Sequence, residues 1–140
     1  MKMMKISLIF FLCLVSCSPI DSTKNEKYEI VSTPIFKNWF KENCDQCFDL
    51  ENQYTNPGNF RGVKKFEYHE KTYVLVNSGM KPNGGYSIQI NNIKEEADAV
   101  IIEAEDISPS NNSSSLAVET NPTVLIIFNS TKKDVQVKWR

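Results

Sequence analysis

Tyr86-Ser87-Ile88-Gln89-Ile90-Asn91 alternates apolar and polar side chains without a break. That is the period of a strand with one buried and one wet face. The same period runs outward in both directions. Upstream, Phe66 and Tyr68 alternate with Lys65 and Glu67, His69-Glu70-Lys71 reads as a hairpin turn, and Thr72 to Asn77 reads as the returning strand. Downstream, Asn92 to Asp98 reads as a polar turn; Val100, Ile102 and Ala104 then face one way, with Glu103 and Glu105 opposite. Thr123 to Phe128 is apolar on both faces, the mark of a strand central in its sheet. Val135, Val137 and Trp139 alternate with Gln136, Lys138 and Arg140 as a last strand. Short strands separated by turn residues predict a mainly β antiparallel sandwich or open barrel. A chain ending inside a strand pattern predicts that loss of Trp139 and Arg140 harms folding.

Before the strands, Tyr28 to Val31 reads as a short first strand. Thr33-Pro34 reads as a helix start, and Ile35, Phe36, Trp39 and Phe40 recur at helical spacing on one apolar face. This predicts one short N-terminal helix packed on a sheet, followed by a loop from Asn43 to Asn59. At the start of the chain, Lys2 and Lys5 precede the apolar run Ile6 to Val15, and Leu14-Val15-Ser16-Cys17 has the form of a lipobox. The run is too short for the ~20 residues of a bilayer-crossing helix. Residues 1–16 are therefore expected to be a lipoprotein signal peptide and Cys17 the lipidated residue. Residues 17–27 are expected to be a polar tether and 28–140 a single β-rich domain. Two or three acyl chains, at ~0.8 kcal/mol per buried methylene, would anchor the protein durably. The expected location is the bacterial cell envelope, with Ser18 after the cysteine favouring the outer membrane. The chain holds 16 cationic and 17 acidic residues, and cleavage would remove Lys2 and Lys5. Such a balance argues against nucleic acid as a partner. Hydrophobic residues at 41% suffice for a packed core.

Ser78-Gly79-Met80-Lys81-Pro82-Asn83-Gly84-Gly85-Tyr86 holds three of the five glycines. Pro82 fixes one dihedral, while Asn83, Gly84 and Gly85 tolerate positive φ. Such a loop is suited either to a tight interstrand turn or to presenting bare main chain, with Tyr86 at its exit as a core or contact residue. The run Gly79 to Ile90, with the Val100-Ile101-Ile102-Glu103-Ala104 and Asn121 to Ile127 strands, resembles the PrcB C-terminal domain family over roughly Phe60 to Arg140. Asn83 stands where that family usually has threonine. The resemblance implies a non-enzymatic accessory module, since the family is named for a lipoprotein that supports a cell-surface protease complex. The loop is also similar to that of chagasin-type inhibitors, which are immunoglobulin-like. This implies an immunoglobulin-like sandwich and direct contact of Lys81, Pro82, Asn83, Gly84, Gly85 and Tyr86 with a secreted or surface protease or another protein. An inhibitor is the alternative.

Cys44-Asp45-Gln46-Cys47 raises a third reading, a thiol-disulfide oxidoreductase. A reactive first thiol needs a helix N-terminus, whereas this pair follows a predicted helix and carries Asp45 beside it. In an oxidising compartment a structural disulfide between Cys44 and Cys47 is the expectation. His69 is the single histidine, no second Cys-x-x-Cys pair exists, and no nucleophile elbow is present. No metal, cofactor or catalytic residue is expected. Glu95-Glu96 and Glu103-Glu105 read as solvated carboxylates.

Overall fold

The structure, a computed structural model, describes residues 24–25, 27–31, 36–110 and 117–140. The lipobox with Cys17, the Thr33-Pro34 helix start and Ile35 lie outside the described residues. Among the described residues, eight strands form two sheets: β1 (Lys24–Asn25), β2 (Tyr28–Val31), β3 (Arg61–Tyr68), β4 (Lys71–Ser78), β5 (Ser87–Glu95), β6 (Ala99–Ile107), β7 (Thr123–Asn129) and β8 (Asp134–Trp139). The first sheet has the order β1-β2-β7-β4-β3 and the second β5-β6-β8. Helices α1 (Phe36–Asn43) and α2 (Phe48–Thr55) precede β3.

The mainly β architecture agrees with the alternation in the sequence. His69 and Glu70 both take positive φ, 47° and 62°, and close the β3–β4 hairpin; two left-handed residues match the twist of paired strands. β4 and β7 pair from Lys71↔Asn129 to Asn77↔Thr123 at the middle of the five-stranded sheet. Their two faces feed two cores. Tyr73, Leu75, Leu125 and Ile127 pack with Trp39, Phe40, Cys44, Cys47 and Leu50 on the helix side. Val74, Val76 and Ile126 pack with Val100, Ile102 and Val135 between the sheets. Hence the continuous apolar run of β7: a strand covered on both sides has no wet face to mark.

Four details depart from the sequence expectations. First, the described residues form two helices, not one: residues 48–55 lie in a stretch expected to be loop. Cys47, Leu50 and Tyr54 fall at helical spacing, and Asp49 and Glu51 complement the positive end of α2. Its polar composition hid it, since only one side touches the core. Second, β8 runs parallel to β6, from Ala99↔Asp134 to Ala104↔Trp139, so the sandwich is not wholly antiparallel. The chain leaves β6, reverses once through β7 in the other sheet, and returns in its original direction. Third, Asn92 to Glu95 continues β5 and is not a turn. A bulge between Ile90 and Asn92 resets the register, so that Asn92 pairs with Glu103 and Ile93 with Ile102. That extra residue turns Ile93 into the core with Ile88 and Ile90, which strict alternation forbids. Fourth, Lys24–Asn25, expected to be tether, pair with Tyr28 and Glu29.

Glu103 is a further correction. It sits on the outer face of the central strand β6, yet is only 8% exposed. Lys94 Nζ at 3.1 Å and Arg140 at 3.6 Å reach over it from the flanking strands. The Lys94 hydrogen bond holds its carboxyl below the usual glutamate range, outweighing the effect of burial, with help from the Lys94, Arg140 and Lys138 charges.

Candidate protein-binding tip

The loop between β4 and β5 carries the chain from one sheet to the other. Its first half is not bare main chain, as the glycine content suggests, but an extension of the β4–β7 ladder. Ser78 N–H donates to the Pro122 carbonyl at 3.0 Å. Gly79 N–H donates to Asn121 Oδ1 at 2.8 Å. Lys81 and Thr120 exchange two backbone hydrogen bonds, of 2.7 and 3.1 Å. Thr120 Oγ1 donates to the Asn83 carbonyl at 3.1 Å. Asn121 also donates to the Gly58 and Phe60 carbonyls, both at 2.9 Å, so one amide side chain ties the α2–β3 connection to the loop. Gly79 (φ 84°) and Gly85 (φ 92°) supply the two left-handed residues of the path. A Cβ on Gly79 would lie 3.2 Å from Arg61 Cβ. Asn83 and Gly84 are not left-handed.

Beneath the loop the apolar core ends in a polar plug. Alternation places Asp106 on the inward face of β6, because its cross-strand partner Ile88 packs in the inter-sheet core. Arg61 and Ser78 reach the same space from the first sheet, on the faces of Val63 and Val76. Ser78 Oγ donates to Asp106 Oδ1. Arg61 Nη1 lies 2.9 Å and Lys81 Nζ 3.0 Å from Asp106 Oδ2. Arg61 also donates to the Ser78 carbonyl, and its guanidinium stacks 3.9 Å from the Trp139 ring centroid. Burial acts to raise the Asp106 pKa, but hydrogen bonds from Ser78, Lys81 and Arg61, with the Arg61 charge, hold it below the usual aspartate range.

This arrangement divides the six candidate contact residues. The Lys81 side chain is 17% exposed and faces inward, its ammonium 5.8 Å from the Tyr86 ring centroid. It is an anchor. Pro82 and Gly85 are exposed; Asn83, Gly84 and Tyr86 are half-buried. Asn83 Oδ1 is buried without a hydrogen-bond partner among the described residues. Met80, not among the six, is 44% exposed. Met80, Gly84, Gly85 and Tyr86 border a cleft of about 640 Å³ whose far wall includes Tyr54, Pro57 and Pro122. Glu119 is the only charged residue among the described residues that line it. What such a surface offers is shape and apolar contact.

Sequence reasoning found the loop and missed its support. Arg61, Ser78, Asp106 and Asn121 went unassigned as site residues. The signal for Asp106 was present: a carboxylate at an inward position of an otherwise apolar strand face needs a partner.

The cysteines lie elsewhere. Cys44 and Cys47 form a disulfide, with Cα atoms 5.4 Å apart, in the turn from α1 to α2. They are 7% and 1% exposed, so the bond is a crosslink within the helix-side core. The described residues contain no group of three or more potential metal ligands. His69 is exposed at its hairpin turn.

Residues 72–129 match the family described as PrcB C-terminal. No curated protein and no solved structure matches the chain. The matched segment runs from β4 through β7. It holds the whole loop with Ser78, Asp106, Thr120 and Asn121, whereas Arg61 and Trp139 lie outside it. Over residues 72–129, the chain carries a PrcB C-terminal domain.

Proposed function

We propose that this protein is a non-catalytic, lipid-anchored accessory module that binds an extracytoplasmic protease through the tip formed by Met80, Pro82, Gly84, Gly85 and Tyr86. The observation that carries this reading is the uncharged, partly exposed rim of a loop held by bonds within the domain. Such a preformed surface loses little conformational freedom when a partner docks. The family match supports a protease as the class of partner, by analogy. Cys17 would attach the module to the membrane, and residues 18–23 would span from it to β1. At most ~3.6 Å per residue, that short stretch would hold β1 within about 25 Å of the membrane surface.

The test is capture of partners from envelope extracts by the tagged full chain, with Met80→Glu and Pro82→Glu as variants. Both positions are exposed, so folding should survive. The reading expects a peptidase with the parent chain and its loss with the double variant. Recovery of the same proteins by both chains removes the tip from the interface. In the purified pair, unchanged or faster peptide cleavage marks an accessory subunit, and slower cleavage marks an inhibitor.

A further inference from the structure

We propose that Asp106 is the positioning residue of the tip: acting through Lys81, it sets the loop conformation and keeps the tip's one cation out of the partner surface. The inference rests on the tip reading only for its consequence in binding; the conformational claim stands on the free protein.

Lys81 is held at both ends. Its backbone exchanges two hydrogen bonds with Thr120, and its ammonium sits 3.0 Å from Asp106 Oδ2. Asp106 is itself fixed by groups from different elements: Ser78 at the end of β4 and Arg61 at the start of β3. Arg61 is braced in turn by the Trp139 ring of β8. One carboxylate thus refers the loop to both sheets at once. Between Lys81 and Tyr86 the path is further narrowed by the Pro82 ring and by the bond from Thr120 to the Asn83 carbonyl. Charge-assisted hydrogen bonds of this kind are about twice as strong as neutral ones.

If the carboxylate becomes an amide, Arg61 and Lys81 face each other across a neutral group. Asp106 is the only anion within ion-pair distance of either cation among the described residues. Lys81 then gains by turning to solvent. The turn loosens the Lys81–Thr120 bridge and places a positive charge on a rim that otherwise has none. Asp106→Asn therefore changes both the order of the tip and its electrostatic character.

Amide hydrogen exchange on the purified full chain in detergent tests the claim. Asp106→Asn should speed exchange at the Lys81 and Thr120 amides about tenfold, while Val74, Leu75 and Val76 stay protected. Lys81→Met should reproduce the effect, and Lys81→Arg should keep protection. Unchanged exchange at Lys81 and Thr120, or an equal rise in β4 from general destabilisation, overturns the assignment. Partner capture by the same variants separates the two claims. A loosened tip with undiminished capture upholds Asp106 and dismisses the tip as interface. An unaltered tip in Asp106→Asn, with capture still abolished by Met80→Glu, does the reverse.

Discussion

The helix layer is the part of the fold least marked in the sequence, and Leu50→Ala measures whether it is docked as described. Leu50 is 0% exposed and sits in the cluster that joins α1, α2 and the outer faces of β4 and β7. Leucine-to-alanine changes in cores cost roughly 2–5 kcal/mol, the larger values belonging to sites that cannot collapse. This site resists collapse. Trp39 lies edge-on to Phe40 at 5.2 Å and to Tyr73 at 6.3 Å, Phe40 is 6.1 Å from Tyr54, and the disulfide holds the turn beside them. The expected loss is therefore about 3–4 kcal/mol. With a urea m-value of about 2 kcal/mol/M for a domain of this size, the midpoint should fall by about 1.5–2 M. Fluorescence of Trp39, in the same cluster, reports the transition, with far-UV circular dichroism as the second probe. Leu50→Met, which conserves volume, should cost under about 1.5 kcal/mol. A loss below about 1 kcal/mol for Leu50→Ala at unchanged m would refute the docked helix layer.

Other perturbations read other parts of the structure. Reducing the Cys44–Cys47 bond, whose cysteines are separated by three positions, should cost about 2 kcal/mol of stability by the chain-entropy argument; identical urea midpoints with and without dithiothreitol would contradict the crosslink. Asp106, Glu103 and Glu95 all have lowered pKa values, Glu95 chiefly through the Lys133 hydrogen bond and charge. The folded state then binds fewer protons, so their contribution is complete above the unfolded values near ~4 and is lost as pH falls through the lower folded values. Stability should hold from pH 7 to about 5 and decline below about 4, less steeply in Asp106→Asn; a decline that begins near neutrality would assign it to other groups. Removing Trp139 and Arg140 takes away the ring beneath Arg61, the Arg140 N–H bond to the Ala104 carbonyl at 3.0 Å and a cation over Glu103. The shortened chain should unfold at least about 10 °C lower, measured by calorimetry, and an unchanged melting temperature would show that Trp139 and Arg140 do not brace the fold.

Much of the sheet framework was legible because a half-buried strand writes its geometry into alternate positions. Ile88 and Ile90, Val100 and Ile102, and Val135 and Val137 were all readable on that ground. The places where reading failed have different causes. Asn91 carries a bulge, so Ile93 falls out of phase with Ile90 and the alternation breaks inside the strand. Phe48 to Thr55 meets the core with only Leu50 and Tyr54, too few contacts for a period to emerge from a polar octet. The direction of β8 relative to β6 is set by the passage through β7 in the other sheet, which no local pattern encodes. At the tip, Gly85 was legible as a residue of positive φ while Gly79 was not singled out, and Lys81 read as a contact because its partner is 25 positions away on another strand. Composition shows that a lysine is present; only topology shows where its charge is used.

That difference bears on what the loop can do. A glycine-rich loop free in solution would meet a partner at the cost of ordering its backbone, roughly 1–2 kcal/mol for each residue fixed. Here that ordering is already complete in the folded chain, through the ladder to Thr120 and Pro122 and the plug around Asp106. The groups that hold the loop are the ones capable of charge chemistry, and they are occupied with one another. The groups left at the rim are a thioether, a proline ring, glycine main chain and a half-covered tyrosine. If this rim is the interface, as proposed, these groups favour a neutral, apolar segment of another protein. Docking through such a rim should be little affected by salt, because long-range attraction between exposed charges is what salt screens. In Asp106→Asn, with Lys81 released to the surface, binding should acquire a salt dependence that the parent chain lacks.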